Sequence, residues 1–250
     1  SGKAALDGGP MMGTLVPDLD APITKTTKAV LLLDAENRLI IEKAMTDGQI
    51  LKASRTACEQ CQKCTDLCPR ELLGHEVKPH LIMRIVNYGI SDFAGMKRAL
   101  GCSECGACAR YACPCGLSPR RVNMLIKQQL AEAGVKNSSD TASGATTFTA
   151  SPMFSYRTIP VKRLIARLGL SPYDRDAPLT KTDYKARQVT LLLKQHLGAP
   201  AVPLVSIGDT VRREDMIGRV EDGKLGAHVH ASITGTVTAV SATAVVITGN

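Results

Sequence analysis

Cys58-Glu59-Gln60-Cys61-Gln62-Lys63-Cys64-Thr65-Asp66-Leu67-Cys68-Pro69 spaces four cysteines by two, two and three residues and closes on Cys-Pro. This is the spacing with which bacterial ferredoxins hold iron–sulfur cubanes. A second run, Cys102, Cys105, Cys108 and Cys113 followed by Pro114, repeats it with the last gap one residue longer. Three thiolates at successive short spacing wrap one cluster, and the fourth, set off by the proline turn, is free to reach a different iron. In two-cluster ferredoxins the fourth cysteine of each run ligates the other run's cluster. By that rule Cys58, Cys61, Cys64 and Cys113 hold one 4Fe–4S cluster, and Cys68, Cys102, Cys105 and Cys108 hold the other. Two clusters so close imply electron transfer. The ninth cysteine, Cys115, is left over and reads as a spare thiol, partly buried.

Other readings of the cysteines are weaker. A structural zinc site takes paired Cys-x2-Cys knuckles far apart in sequence, and a third cysteine at the same spacing would be surplus. A disulfide framework suits a small secreted domain, whereas this chain has 250 residues and no apolar targeting segment at its start. No stretch is apolar for the length of a membrane span, so a soluble or peripheral chain without a transmembrane segment is expected. The formal charge is +8. Two oxidised clusters with their thiolates, each about −2, would bring it to about +4. That weakens the case for nucleic acid, as does the absence of tryptophan for base stacking. The chain opens on Ser-Gly, which suggests a processed or recombinant fragment with part of the activity before Ser1.

The expected fold class is α+β and multidomain. Residues 1–46 read as the end of a small β-rich module. Val30 to Leu33 and Leu39 to Ile41 flank Asp34-Ala35-Glu36-Asn37 as a hairpin, and Gly8-Gly9-Pro10-Met11-Met12-Gly13 is a structural turn. Residues 47–135 read as helices around the clusters. Ser118-Pro119 opens one of them with an N-cap and a proline at the first helical position. Val122, Leu125, Ile126 and Leu130 continue it at helical spacing to Gly134, and Leu81, Ile82, Ile85 and Val86 mark another. Arg120 and Arg121 fall in the first turn, where the helix dipole disfavours cations; a solvated face is the default, and docking of an acidic partner or cofactor the alternative.

Residues 136–187 read as a linker, from Lys136 to Ser151, followed by a basic segment with an amphipathic helix near Val161 to Leu168. Its charges are Arg157, Lys162, Arg163, Arg167, Arg175, Lys181, Lys185 and Arg187 against Asp174, Asp176 and Asp183. Residues 188–250 alternate short β-type runs, from Val189 to Thr248, with turns at Gly208-Asp209 and Gly235, and form an all-β domain. His196, His228 and His230 lack a supporting carboxylate or cysteine pattern, so hydrogen-bonding roles are expected for them.

These residues together resemble the Rnf C-subunit group, relatives of the flavin subunit of complex I. Gly8 to Gly13 and Pro22-Ile23-Thr24-Lys25-Thr26-Thr27 resemble the end of its soluble-ligand-binding β-grasp domain. The two cysteine runs resemble its dicluster domain. Gln195 to Ala201, Val205 to Asp209 and His230 to Val237 resemble its barrel-sandwich domain. Here that domain follows the clusters, whereas in Rnf C-subunits it comes first. This order, with Tyr111-Ala112-Cys113-Pro114 and Gly116 to Asn123, resembles the cobalamin reductases of propanediol-utilisation microcompartments; Cys115 departs from the methionine expected there.

The resemblance implies the C-terminal portion of a cytoplasmic oxidoreductase inside a bacterial microcompartment. Electrons would pass from NADH through FMN and the two clusters to cobalamin, with a corrinoid adenosyltransferase and other microcompartment proteins as partners. FMN and NADH would be bound before Ser1 and not by this fragment, and no catalytic residue is assigned within it. A C subunit of an Rnf-type membrane complex is the alternative. A biotin or lipoate carrier is the weakest reading, because Lys224 is flanked by Gly223 and Leu225 rather than by the Met-Lys-Met or Asp-Lys-Ala that ligases read.

Overall fold

A computed structural model describes residues 2–135, 148–176, 178–179 and 184–249. The chain divides into one unit of residues 1–15 and 31–176 and a second of residues 16–30 and 177–250.

In the first unit, β1 (Lys3–Asp7) pairs antiparallel with β2 (Thr14–Leu15), Leu6 opposite Leu15, and β3 (Val30–Asp34) completes a sheet in the order β2-β1-β3. The turn from Gly8 to Gly13 closes through the Gly13 amide donating to the Gly9 carbonyl at 2.8 Å. After β3 the expected hairpin does not form: Arg38–Ala44 is a helix, α1. The Asn37 side chain accepts from the Leu39 amide at 2.9 Å, an N-cap that commits the chain to a helical turn. Three consecutive apolar residues fit either periodicity, and here Leu39 and Ile40 turn into a core with Leu6, Leu33 and Leu168.

α2 (Asp47–Ala57) starts with a reciprocal capping box between Thr46 and Gln49. α3 (Lys63–Asp66) and α4 (Pro69–Leu72) are single turns placed by the first cysteine run. α5 (Pro79–Tyr88) ends at Gly89, whose φ of 62° is the left-handed cap that stops a helix. α6 (Phe93–Lys97) leads to the second run, and α7 (Pro119–Glu132) begins where Ser118 accepts from the Arg121 amide at 3.4 Å. α2, α5 and α7 pack on one another around Ile50, Ile82, Met83, Val122, Ile126 and Leu130, and Cys113 and Leu117 belong to the same core. Each such aliphatic side chain contributes roughly 1.5–3 kcal/mol by leaving water, and together they wall the cysteines from solvent on this side.

The segment read as a linker lies mostly outside the described residues, at 136–147. Beyond it the chain returns to the first unit. The Ser151 amide donates to the Leu72 carbonyl at 2.9 Å, and α8 (Val161–Arg167) sends Leu164 and its neighbour Leu168 into the β1–β3 core. Much of the basic segment is engaged: Arg157 pairs with Asp66 at 2.9 Å and Lys162 with Asp174 at 2.7 Å. Lys181 and Asp183 lie outside the described residues.

The second unit holds two sheets, ordered β4-β10-β9-β6 and β5-β7-β8. The strands are β4 (Gln188–Leu192), β5 (Val202–Pro203), β6 (Thr210–Val211), β7 (Met216–Arg219), β8 (Val229–His230), β9 (Gly235–Val240) and β10 (Ala244–Gly249). Leu193, Ile217, Val237, Val245 and Ile247 form its core. Gly235 is a strand residue rather than a turn. A Cβ there would collide with the Thr248 carbonyl oxygen, so close strand approach explains the glycine. Lys25 ties residues 16–30 into this unit, its amide bonding Gln195 Oε1 at 2.8 Å and its Nζ the His228 carbonyl at 3.0 Å.

Candidate metal centre

The two cysteine loops share a backbone device. Gln60 and Gln62, two and four residues after Cys58, have φ of 54° and 62°. Glu104 and Gly106, two and four residues after Cys102, have φ of 58° and 83°. Left-handed conformation costs a non-glycine residue about 1–2 kcal/mol, and three of these four positions bear it. The return is geometric, because alternating hand turns successive amide N–H groups to one side, the concavity that binds anions and iron–sulfur centres.

The loops differ in how they reach their fourth cysteine. After Cys64 the chain makes the turn of α3, and the Cys68 amide donates to the Thr65 carbonyl at 2.9 Å. After Cys108 it makes a π-helical turn over Cys108–Ala112, and the Cys113 amide donates five residues back to the Cys108 carbonyl at 3.1 Å. The wider turn absorbs the extra residue of the second run.

The fourth cysteines are exchanged between loops. Cys58, Cys61, Cys64 and Cys113 line one cavity, while Cys68, Cys102, Cys105 and Cys108 line another. Burial, then the proximity of Cys113, Cys58 and Cys61, pushes the Cys64 thiol up to about 12. Burial and the nearness of Cys102, Cys64, Cys68 and Cys105 push Cys108 well above its ordinary value. Crowded, buried thiols resist ionising, and bound iron would supply the positive charge that lets them. Among the described residues no three His, Cys, Asp or Glu side chains converge closely enough to hold a single metal ion. A cubane does not require that convergence, since each thiolate takes its own iron. The donor chemistry, crossed placement and inward amides therefore fit two cubanes.

Polar groups already face the sulfurs. The Leu117 amide donates to Cys113 Sγ at 3.3 Å, the Glu104 amide to Cys102 Sγ at 3.4 Å, and Gln60 Nε2 to Cys58 Sγ at 3.3 Å. Such bonds tune cluster potential. Thr65, buried beside Cys64, ties α3 to α5: its Oγ1 accepts from the His80 amide at 3.1 Å and lies 2.7 Å from His80 Nδ1. Arg167 of α8 donates to the Cys113 carbonyl at 2.7 Å. Cys115 also lines the first cavity but is exposed, whereas Cys113 is buried. The supporting roles of His80 and Arg167 have no signature in the sequence, because each depends on contacts between separate segments, and that of Gln60 depends on a left-handed backbone that glutamine does not announce. Among the histidines of the second unit, His196 ring nitrogens lie 2.9 Å and 3.1 Å from the Gly198 and Ala227 amides, and His228 Nδ1 accepts from the Val220 amide at 3.2 Å.

Comparison with known proteins agrees with this division of labour. Residues 57–118 match the 4Fe-4S dicluster domain, and residues 173–250 match the RnfC barrel sandwich hybrid domain. The chain is 45% identical to the cobalamin reductase PduS of Citrobacter freundii over 242 residues, which is 94% of this chain and 51% of the relative. It is 44% identical to that of Salmonella typhimurium over 248 residues, 97% of this chain and 52% of the relative. Similarity to the C subunit of the ion-translocating oxidoreductase complex of Actinobacillus succinogenes is partial, 41% over 70 residues, covering 28% of this chain and 8% of the relative. The chain thus spans about half the length of the curated cobalamin reductases it matches, and it carries a 4Fe-4S dicluster domain followed by an RnfC barrel sandwich hybrid domain.

Proposed function

We propose that this chain is the electron-relay portion of a flavo-iron–sulfur oxidoreductase that reduces the cobalt of a corrinoid. The observation that carries the reading is the pair of crossed cysteine quartets within a chain 45% identical to a cobalamin reductase. Cys58, Cys61, Cys64 and Cys113 hold one cluster, and Cys68, Cys102, Cys105 and Cys108 hold the other. Clusters bound there would accept and release single electrons. The chain's own residues do the rest. Thiolates fix the irons, the left-handed positions aim amides at the sulfurs, and the packed faces of α5 and α7 keep water out. Residues 1–46 are the end of a β-grasp module, 47–135 the dicluster domain, 136–187 a linker with its basic segment, and 188–250 the barrel-sandwich domain. NADH and FMN would be used by a part of the longer protein outside this chain, which spans about half the length of the cobalamin reductases it matches. The setting is a propanediol-utilisation microcompartment in the cytoplasm, with a corrinoid adenosyltransferase receiving the reduced product.

Stopped-flow spectroscopy tests the relay. The chain, reduced with dithionite, freed of excess reductant and mixed with hydroxocobalamin under argon, should bleach the corrinoid as its clusters reoxidise. It should not oxidise NADH by itself. Clusters that stayed reduced beside unchanged corrinoid would show that the relay needs a route through another region. The partial match to a component of an ion-translocating oxidoreductase complex supports a second reading, a peripheral subunit of a membrane complex. Co-purification of the native protein with membrane subunits would favour it. Among the described residues no helix is long and apolar enough to cross a membrane.

A further inference from the structure

A cavity of about 620 Å³ opens in the first unit beside β2, α1, α2 and α7, within the size range of small-molecule sites. Met45, Ile50, Ala53, Leu117 and Leu125 give it an apolar wall. The rest is charged, with five cations and three carboxylates. The carboxylates are taken: Glu42 pairs with Arg110, whose side chain is only 9% exposed, Asp47 pairs with Arg121, and Glu104 pairs with Lys127 at 2.6 Å. Lys43 and Arg120 remain, and among the described residues neither has a carboxylate partner. Lys43 Nζ donates to the Gly13 carbonyl, and Arg120 Nε to the Glu104 carbonyl at 2.8 Å.

These two cations feel each other. Burial, then the charge of Arg120, pushes the Lys43 ammonium down to about 8. Holding two half-desolvated positive charges together is unfavourable unless an anion joins them. Arg120 also stands in the first turn of α7, where the helix dipole opposes a cation but favours an anion. Lys43 and Arg120, which no carboxylate among the described residues neutralises, offer the positive charge and donors that a phosphate monoester takes. Arginine offers it a planar fork of donors and lysine a compact point charge.

We propose that this cavity binds a phosphorylated small organic molecule, its phosphoryl group between Lys43 and Arg120 and its ring system against Met45, Ile50, Leu117 and Leu125. The site adjoins the cysteines, since the Leu117 amide bonds Cys113 Sγ at 3.3 Å and Arg120 also lines the second cysteine cavity. Binding here does not depend on the chain reducing a corrinoid, and it is measured without any electron transfer.

Calorimetry on the cluster-loaded chain under argon, with inorganic phosphate, AMP and adenosine as probes, tests the site. AMP should bind one to one, at least about tenfold more tightly than inorganic phosphate, which lacks the ring, or adenosine, which lacks the charge. Arg120→Gln and Lys43→Gln should each weaken AMP by about tenfold or more, and Lys43→Gln should do so with iron content and visible spectrum like the parent's. The second variant guards against indirect effects, because only Arg120 touches the cysteine loop. No binding of phosphate or AMP, equal affinity for AMP and adenosine, or AMP affinity unchanged in both variants would overturn the site.

Discussion

The loop from Cys58 to Cys68 and the loop from Cys102 to Cys113 solve one problem with different parts. Both become left-handed two and four residues after their first cysteine, but the first uses Gln60 and Gln62 and the second Glu104 and Gly106. Both direct a donor at the sulfur of that first cysteine, a side-chain amide from Gln60 in one and the backbone amide of Glu104 in the other. They part at the exit, where one makes a single turn of α-helix and the other a π-helical turn. Backbone hand is thus the shared requirement, while side-chain identity and exit length vary around it.

The comparison breaks most readily at the exchanged cysteines. Cys113→Ser should remove about half of the roughly eight irons that two cubanes require, and Cys115→Ser should remove none. Iron analysis with EPR of the reduced protein reads both, and equal losses would show that the two thiols share the ligand role. Deleting Ala109 should have nearly as large an effect. The shortened exit would match the first loop in length but pull Cys113 away from the Leu117 amide and from Arg167. Iron held by Cys58, Cys61 and Cys64 should then be lost, while the cluster signal of the other quartet persists. A chain retaining both signals would show that the π turn is dispensable.

Smaller effects sharpen the comparison of backbone hand. Gly106→Ala should cost about 1–2 kcal/mol, because its φ is 83° and the new Cβ would also meet the Met11 carbonyl at 3.1 Å. Gln62→Gly relieves the same strain at the equivalent position of the first loop, offset by the entropy of a freer unfolded chain, and should stabilise by less than about 1 kcal/mol. Denaturant titration of the two variants checks the opposite signs. Gln60→Leu should leave iron content intact and lower the midpoint potential of the cluster at Cys58, because a donor to sulfur stabilises the more negative reduced state. A redox titration followed by EPR that found no shift would show that this side chain only spaces the loop.

The cysteine spacing made the centre legible in the sequence, and the Ser118-Pro119 signal placed the start of α7. Leu39 to Ile41 misled because a three-residue apolar run carries no period of its own, and the decision fell to the Asn37 cap and to Leu168, far along the chain. The left-handed Gln60 and Gln62 were invisible for a different reason: glutamine gives no hint of positive φ, as glycine does at the matching position. β6 and β7 went unread because Thr210–Val211 is only two residues long and Met216–Arg219 lacks β-branched alternation; pairing with β9 and with β5 and β8 defines them. The cavity beside α7 needed five separate segments brought together, and only the unfavourable placement of Arg120 and Arg121 hinted at it.

The exchange of Cys68 and Cys113 also bears on how such a protein is made. During synthesis residues 58–64 are made well before residue 113, so the first proposed quartet cannot close until the second loop has also emerged. Cys68 likewise waits for its three partners. Iron delivery must therefore follow translation of both loops, and the early thiols must be kept reduced in the interval. Once filled, each cluster would hold in place the loop that carries the fourth ligand of the other, so filling one should speed the filling of the second.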